Sequence, residues 1–418
     1  MSTHEKIIIY AQDRPQKKQP VRLDTFFQPH FQFVLHHSSN MSDRIFHSSF
    51  GAFDLHLLHQ HSRSPLRAWN AADELLLQQV STQDWPKAPR VLVINDSAGA
   101  LAVALHTWQP HSWNDSASSR LALEQNLASN QLRATDVTFI PAHQSPAGPY
   151  DLVLIQLPKT LSLLHHQLFH LRPHITAATQ VTGGGMVKHM AGSMIELFNQ
   201  QIGTTHTSLA QKKARLVFAS LDPTRQPPQP QPGRYGIPDS PLQLVSHANV
   251  FSQQKIDIGT RFLLERFPDL KSAQSILDLG CGNGALGIYA GWKHPQAALH
   301  FTDDSFLAVQ SARESFALNR LENPAHFHCG DGLQQFAGKV DAILCNPPFH
   351  EGNKVHTDIA ARLFRDAARH LNPEGTLYVV ANRHLDYLPL LRNHFRHCQL
   401  IASNAKFVIL AARKPGSG

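Results

Sequence analysis

The sequence has few cysteines and no long apolar run. Its four cysteines, in 418 residues, never occur in Cys-x-x-Cys spacing, so neither a disulfide framework nor a zinc site is predicted. No apolar run reaches the roughly 18 residues of a membrane-spanning helix, and the apolar stretch near Met1 is too short for a signal peptide. A reducing cytoplasm, without membrane contact, is the predicted location.

Charge is also scarce, since charged residues make up only 17% of the chain. Hydrophobic residues make up 42%, which is enough for real cores and argues against a disordered protein. The 28 histidines follow no metal-ligand spacing, so no metal site is predicted. The net charge of +7 suits a polyanionic partner.

The clearest boundary is the proline-rich segment 222–241. Proline fixes φ and donates no backbone hydrogen bond, so this segment is predicted to be a semi-rigid, polyproline-like linker. The chain length also predicts two or three domains. We therefore expect one domain in residues 1–221 and another in residues 242–418.

After the proline-rich segment, short apolar runs alternate with helical patterns. Such alternation predicts a doubly wound, mostly parallel α/β sheet. The last two strands are too close for a crossover helix, so one edge should be antiparallel. The predicted strands are Ser275–Leu279, Leu299–Thr302, Val340–Cys345, Thr376–Ala381, Gln399–Ala402 and Phe407–Ala412, and the predicted helices are Ala285–Trp292, Ser305–Asn319, Asp358–His370 and Leu385–Phe395.

The N-terminal part echoes this pattern at a nearly constant offset. The matches follow the same order along both halves, which favours a duplicated α/β domain, although any two βαβ units share part of such a pattern. The aligned pairs include Gly99 with Gly284, Asn126 with Asn319 and Asp151 with Asp341.

The two copies differ where the strands of such a fold end. Residues 95–99 read Asn-Asp-Ser-Ala-Gly, whereas residues 280–284 read Gly-Cys-Gly-Asn-Gly. Residues 156–159 read Gln-Leu-Pro-Lys, whereas residues 346–349 read Asn-Pro-Pro-Phe. Larger residues close the space that a ligand needs, so the first domain is predicted to be inactive and to support substrate binding.

A glycine-rich turn joins the first predicted strand of the second half to a helix. It contains Asp278, Gly280, Gly282 and Gly284. Glycines there permit a tight turn and a close backbone approach to a ligand, and the helix start exposes N–H groups. The context is neither a dinucleotide fingerprint nor a P-loop, so another nucleotide-like cofactor is favoured.

Two further acids stand at the ends of the next predicted strands. Asp303 can accept hydrogen bonds from ribose hydroxyls, or it can simply stabilise the start of the following helix. Asp331 can accept from an adenine amine, or it can be an ordinary turn residue between glycines.

The four residues Asn346, Pro347, Pro348 and Phe349 follow a buried-looking strand. The two prolines hold the chain extended and donate nothing. The Asn346 side-chain oxygen and the Pro347 carbonyl can then accept both hydrogens of an exocyclic NH₂ group. Phe349 offers a flat face on which a base can stack.

Together these motifs resemble the S-adenosylmethionine-dependent methyltransferases that act on planar NH₂ groups. The resemblance implies a seven-stranded sheet with a reversed last strand. It implies that Asp278, Gly280, Gly282 and Gly284 surround the methionine part of the cofactor. It further implies that Asp303 binds the ribose and Asp331 the adenine, and that Asn346, Pro347 and Phe349 form the substrate amine site.

A narrower resemblance is to the bacterial large-subunit ribosomal RNA guanine-N2 methyltransferase family. It implies two tandem Rossmann-like class I methyltransferase domains with a degenerate first copy, and methylation of guanine N2 in 23S ribosomal RNA. We expect a monomer that acts on protein-free RNA, because a clamp of two domains needs wide access to its substrate. The segments that carry the resemblance are Gly203–Arg215, His247–Ser252, Asp257–Arg261, Asn346–His350 and Val380–Tyr387.

The residues themselves leave alternatives open. Asn346 and Phe349 suit any planar amine, including adenine N6, cytosine N4 and a protein glutamine. A 16S ribosomal RNA guanine-N2 methyltransferase and a non-catalytic RNA-binding assembly factor are further alternatives. Candidate phosphate contacts are Lys212, Lys213, Arg215, Arg362 and Arg383.

Overall fold

The first half of the molecule is built around a seven-stranded sheet. The structure is a computed structural model that describes residues 44–59, 66–85, 87–348 and 354–414. A hairpin of β1 (Ile45–Ser48) and β2 (Gly51–Asp54) precedes the sheet. The strands of the sheet are β3 (Val91–Ile94), β4 (His111–Asn114), β5 (Thr138–Pro141), β6 (Leu152–Gln156), β7 (Gln180–Met186), β8 (Thr205–Thr207) and β9 (Ala214–Ala219).

In the described residues, the first domain, which we define as the elements up to β9, contains five α-helices. They are α1 (Ala71–Ser81), α2 (Ala100–Ala104), α3 (Ala117–Ser129), α4 (Leu161–Leu171) and α5 (Gly192–Gln201). All four residues of β3 are buried, as expected for a central strand that is covered on both faces.

The second domain begins with another hairpin, of β10 (Gly233–Gly236) and β11 (Gln243–Ser246). Its sheet consists of β12 (Ser275–Leu279), β13 (Ala298–Asp303), β14 (Ala325–Cys329), β15 (Val340–Cys345), β16 (Leu371–Asn382), β17 (His397–Ser403) and β18 (Phe407–Arg413). Its α-helices are α6 (Ile258–Glu265), α7 (Ala285–Lys293), α8 (Phe306–Leu318), α9 (Lys354–His370) and α10 (Leu388–Arg392).

The two sheets have the same strand order. The second sheet runs β14-β13-β12-β15-β16-β18-β17, and the first runs β5-β4-β3-β6-β7-β9-β8. In each, six strands run in the same direction, and the last strand is inserted antiparallel between its two predecessors. The predicted duplication, parallel sheet and reversed last strand are therefore confirmed. In the described parts of the chain, no helix is long and apolar enough to cross a membrane.

The proline-rich segment differs from the prediction. It is not a polyproline-like linker throughout, because Gly233–Gly236 pairs in register with Gln243–Ser246. Its prolines lie outside these paired residues, so the backbone N–H groups of Arg234 and Tyr235 remain available to the ladder. The segment thus ends as the opening hairpin of the second domain.

The predicted pairing of Asn126 with Asn319 is wrong by one helical turn. The structural counterpart of Asn319 is Asn130, since each caps the end of its helix and binds a hairpin. The Asn130 amide exchanges hydrogen bonds with the backbone of Asp54 at 2.8 Å. The Asn319 amide does the same with the backbone of Gln243, at 2.7 and 2.9 Å.

The predicted helix Leu385–Phe395 is too long, because α10 comprises only Leu388–Arg392. Pro389 explains its start, since proline is tolerated only in the first turn of a helix. Asp386, just upstream, has a φ of +34°, which no α-helix accommodates.

Candidate active site

A cavity of about 720 Å³ lies at the carboxyl ends of the second domain's strands, within the range of small-molecule sites. The topological switch between β12 and β15 is at this edge, where open α/β sheets bind their ligands. The predicted residues Asp278, Gly280, Gly282, Asp303, Asp331, Asn346 and Pro347 all line this cavity.

The glycine-rich turn leaves space beside the backbone. Gly280 and Gly282 have φ values of +72° and +55°. A Cβ atom on Gly280 would meet no described atom within 4 Å, and one on Gly282 would meet only Val250, at 3.9 Å. A cofactor can therefore approach this backbone closely, so the residues present fit the predicted ligand.

Gly284 has another environment. It is absent from the described lining of the cavity, and its φ of +83° places it at the N-cap of α7. A Cβ there would stand 3.1 Å from both Ala312 and Ile288. In this structure Gly284 allows α7 to approach α8 rather than facing the cavity.

Two acids of the cavity accept hydrogen bonds from backbone N–H groups. Asp278 accepts from Gly287 at 2.8 Å, and burial raises the pKa of Asp278 to about 8. Asp303 accepts from Gly282 and from Ser305, each at 2.9 Å. Burial raises the pKa of Asp303 to about 6, although these two N–H groups act in the opposite direction.

Asp331 is bound by two side chains that the sequence did not connect with it. Arg362 and His59 both contact its Oδ2 atom. Burial alone would raise the pKa of Asp331, but the hydrogen bonds from Arg362 and His59 outweigh burial and lower it. Arg362, proposed as a phosphate contact, thus lies in the cavity, and His59 extends there from the first domain.

Asn346 is held in one orientation by the first turn of α6. Its Nδ2 donates to Asp257 Oδ2 at 3.0 Å and to Thr260 Oγ1 at 2.8 Å. These bonds fix which end of the amide is the nitrogen. The Oδ1 atom is buried and has no hydrogen-bond partner among the described residues.

The rest of the predicted amine site is only partly described. Pro347 is buried and lines the cavity. Phe349 lies outside the described residues, as does His350. Asp257 and Thr260, which orient Asn346, belong to a segment cited only for its resemblance to the family, so their contact with Asn346 was not predicted.

Comparisons with known proteins agree with this geometry. The family model of the RLMG N-terminal domain matches residues 43–223, and that of the methyltransferase small domain matches residues 241–411. The ribosomal RNA large subunit methyltransferase G of Pseudomonas aeruginosa (strain UCBPP-PA14) is 44% identical over 375 residues, which cover 88% of this chain and 100% of the relative. The chain belongs to the ribosomal RNA large subunit methyltransferase G family.

A further relative and a solved structure agree with this family assignment and with the fold. The ribosomal RNA large subunit methyltransferase G of Stutzerimonas stutzeri (strain A1501) is 42% identical and covers 88% of this chain and 99% of its own. Among solved structures, the T. Thermophilus 16S rRNA N2 G1207 methyltransferase (RsmC), in complex with AdoMet and guanosine, has a TM-score of 0.70 at 21% identity. It covers 88% of this chain and 97% of its own, and supports the two-domain fold. The chain is a methyltransferase, and S-adenosylmethionine is its methyl donor.

In this member of the methyltransferase G family, polar side chains fill the first domain's counterpart of the cavity. Asn95, where the second domain has Gly280, donates to the carbonyl of Gln156 at 3.0 Å and to Gln167 Oε1 at 2.8 Å. Gln156, in turn, donates to the buried Asp73. This network occupies the space beside the strand ends, as the exchange of small for large residues predicted.

The candidate phosphate contacts differ in their surroundings. Lys212 pairs with Glu74, and Arg215 is only partly exposed. Lys213 and Arg383 are exposed, which leaves them accessible to RNA. Across the described residues, no group of three or more histidine, cysteine, aspartate or glutamate side chains could hold a metal ion.

Proposed function

We propose that this protein transfers the methyl group of S-adenosylmethionine to the exocyclic N2 atom of a specific guanine in 23S ribosomal RNA. The observation that carries the proposal is the buried, unpartnered Oδ1 atom of Asn346 in the wall of the cavity. A buried acceptor without a partner costs free energy, so its retention at this place points to a donor supplied by the substrate. An NH₂ group is such a donor.

The side chains proposed to bind the cofactor belong to the second domain. Gly280 and Gly282 leave room for its methionine part, and Asp303 accepts from the ribose. The described partners of Asp331 all contact Oδ2, which leaves Oδ1 for the adenine amine. The bound cofactor supplies an electrophilic methyl group on a sulfonium.

The chemistry then depends on the nucleophile. A guanine amine is weak because its lone pair is delocalised into the ring. When Asn346 Oδ1 and the Pro347 carbonyl accept its two hydrogens, the nitrogen becomes more pyramidal and the lone pair localises. N2 bonds to the methyl carbon as the methyl–sulfur bond breaks, and the extra proton on N2 passes to water. Orientation of the two reactants supplies most of the rate, so no strong base is needed.

The substrate must present an unpaired guanine. A base inside a helix cannot enter a cavity of this kind, so the target is single-stranded or flipped out. We propose that the degenerate first domain supports RNA binding and that Lys213 and Arg383 contact phosphates. Affinity should then fall as salt rises. We further propose a cytoplasmic monomer that acts on protein-free RNA, where both domains have access.

The test uses large-subunit RNA from cells that lack this gene. The full chain is incubated with S-adenosylmethionine and protein-free 23S RNA, and the digested nucleosides are identified by mass spectrometry. New N2-methylguanosine is expected. Parallel reactions contain 16S RNA and assembled 50S subunits. Methylation of 16S RNA instead would contradict the substrate, a different methylated base would contradict the amine, and preferred methylation of 50S subunits would contradict the protein-free form.

A further inference from the structure

The contact between the two domains contains two mirrored carboxylates. Asp304 directly follows β13 and accepts hydrogen bonds from the start of α3 in the first domain. Its donors are the Ser116 hydroxyl at 2.7 Å, the Ser118 N–H at 2.7 Å and the Ser118 hydroxyl at 2.6 Å. Asp115 directly follows β4 and accepts from the start of α8 in the second domain. Each carboxylate therefore stabilises a helix N-terminus of the other domain.

Asp115 has three donors, and all belong to the second domain. They are the Ser305 hydroxyl at 2.7 Å, the Leu307 N–H at 2.8 Å and the Asn249 side-chain amide at 2.9 Å. Burial raises the pKa of Asp115 to about 7, although its three hydrogen bonds act in the opposite direction. Asp115 is only 4% exposed, so water cannot readily replace these donors.

Two of these donors belong to different segments of the cavity lining. Ser305 lines the cavity and donates its N–H to Asp303, the acid proposed to bind ribose. Asn249 is the first of four consecutive lining residues, Asn249–Ser252. One carboxylate of the first domain thus binds both the start of α8, beside Asp303, and the loop Asn249–Ser252.

The loop Asn249–Ser252 is bound to the first domain through further contacts of its first residue. Asn249 has a φ of +65°. Its side-chain oxygen accepts from the Thr160 hydroxyl at 3.1 Å, and its N–H donates to the Ser162 hydroxyl at 3.3 Å. Directly after it, Val250 approaches the open side of Gly282, and Phe251 is 61% exposed at the cavity.

We propose that Asp115 is a positioning residue for S-adenosylmethionine binding, through which the first domain positions two segments of the cavity lining. Asp115 is absent from the described lining of the cavity, so it acts through Asn249 and Ser305. The degenerate domain is then a part of the cofactor site as well as a support for RNA. This inference rests on the proposed function only in taking the cavity as the cofactor site.

The first test is calorimetric titration of the full chain with S-adenosylmethionine, without RNA. Asp115→Asn should raise the dissociation constant about tenfold, because the amide can accept from fewer of the three donors. Since RNA is absent, the result does not depend on which base is methylated. A wild-type chain that binds the cofactor but fails to methylate guanine would contradict the proposed function and leave this test intact.

A matched pair of serines separates positioning from stability. Ser305 and Ser116 each donate to the opposite carboxylate at 2.7 Å, and each caps its own helix at 3.0 Å. Ser305→Ala and Ser116→Ala should lower the melting temperature similarly. Only Ser305→Ala should weaken cofactor binding, by about fivefold or more. Equal weakening by both variants would overturn the proposal.

If Asp115→Asn fails to fold, Asn249→Gly tests the proposal instead. Glycine keeps the positive φ of this residue and removes only its side-chain contacts. Its control is Asn95→Gly in the first domain, because Asn95 has a φ of +62° and also donates its amide twice. Asn249→Gly should weaken cofactor binding several-fold, and Asn95→Gly should not. Wild-type affinity in Asn249→Gly would overturn the proposal.

Discussion

The two domains share a scaffold and differ at one edge of it. Both sheets have the same strand order, and both place a left-handed residue, Asn95 or Gly280, directly after the central strand. Asparagine tolerates this conformation, so the turn itself survives the exchange. The space beside the turn differs, because the Asn95 side-chain amide occupies a position that Gly280 leaves empty. A crevice at the strand switch point becomes a cofactor site only when the side chains there stay small.

The buried acids show which contacts belong to the fold and which to the ligand. In the second domain, Asp278 accepts from the N–H of Gly287 at 2.8 Å. In the first, the corresponding N–H, of Ala102, donates to Asp96 at the same distance. The helix start thus keeps an acceptor in both domains, whether or not a cofactor can bind beside it. Asp278 therefore has a structural role that does not depend on the cofactor.

The largest effect should come from Asn346, the side-chain amide directly after β15, whose counterpart in the first domain is Gln156 at the end of β6. We expect Asn346→Ala to lower the rate of methyl transfer on the order of 10²–10³-fold, because the amine loses a preorganised acceptor. Cofactor affinity, measured by calorimetry, should remain. The matched variant Gln156→Ala should keep full activity. Unchanged turnover in Asn346→Ala would remove this residue from the mechanism.

A smaller effect should follow from making the second domain resemble the first at the ribose position. Asp303 ends β13, and the corresponding residue at the end of β4 is Asn114. Asp303→Asn should weaken S-adenosylmethionine binding roughly tenfold to a hundredfold, because a neutral amide accepts more weakly from hydroxyls. Asn114→Asp is the control and should leave binding unchanged. Equal affinity in Asp303→Asn would leave Asp303 with only its contacts to Gly282 and Ser305.

A smaller effect, on kcat alone, is expected for a side chain that orients Asn346. Thr260 accepts from the Asn346 amide in the first turn of α6, and Asp73 in the first turn of α1 accepts from Gln156. Thr260→Val keeps the shape and removes the acceptor. We expect kcat to fall about fivefold with an unchanged KM for cofactor, since Asp257 still holds the amide. A change in KM alone would contradict an orienting role.

Local patterns predicted most strands of the second sheet and several residues of the cavity lining. Val340–Cys345 and Ser275–Leu279 have the predicted bounds, because short apolar runs between turn residues specify buried strands. The motif that begins at Asn346 was readable because its chemistry lies in consecutive residues. The predicted roles of the site residues remain predictions, and only their places are observed.

Contacts between distant segments could not be predicted in this way. His59 reaches Asp331, and Asn249 reaches Asp115, only because the two domains meet. Neither hydrophobic periodicity nor the spacing of a local motif indicates which distant residues come into contact. The strand Gly233–Gly236 was not predicted for a related reason. It has only four residues and lies among prolines, so its own sequence gives no strand pattern, and only its pairing with β11 defines it.

The smallest expected effect concerns stability rather than activity. Burial, together with the nearby Asp96 charge, raises the pKa of Asp73 to about 8. An unfolded chain ionises Asp73 near its ordinary value of 3.8, so the folded state loses stability as pH rises from about 4 to 8. Asp73→Asn removes this loss, and Gln156 can turn its amide to remain bonded. The melting temperature of Asp73→Asn should exceed that of the wild type by a few degrees at pH 8 and match it near pH 4.

The second domain also contains a buried acid, Asp278, and its contribution to the pH dependence of stability should change when the cofactor binds. Burial raises the pKa of Asp278 to about 8 as well, but this acid lies beside an open cavity. Saturating S-adenosylmethionine should therefore alter the pH dependence that remains in Asp73→Asn, because binding changes the surroundings of Asp278 and not those of the closed first domain. If the cofactor leaves the melting temperature unchanged at every pH, the ionisation of Asp278 does not depend on cofactor binding. A pH-independent gain from Asp73→Asn would show that the buried charge of Asp73 is not the cause.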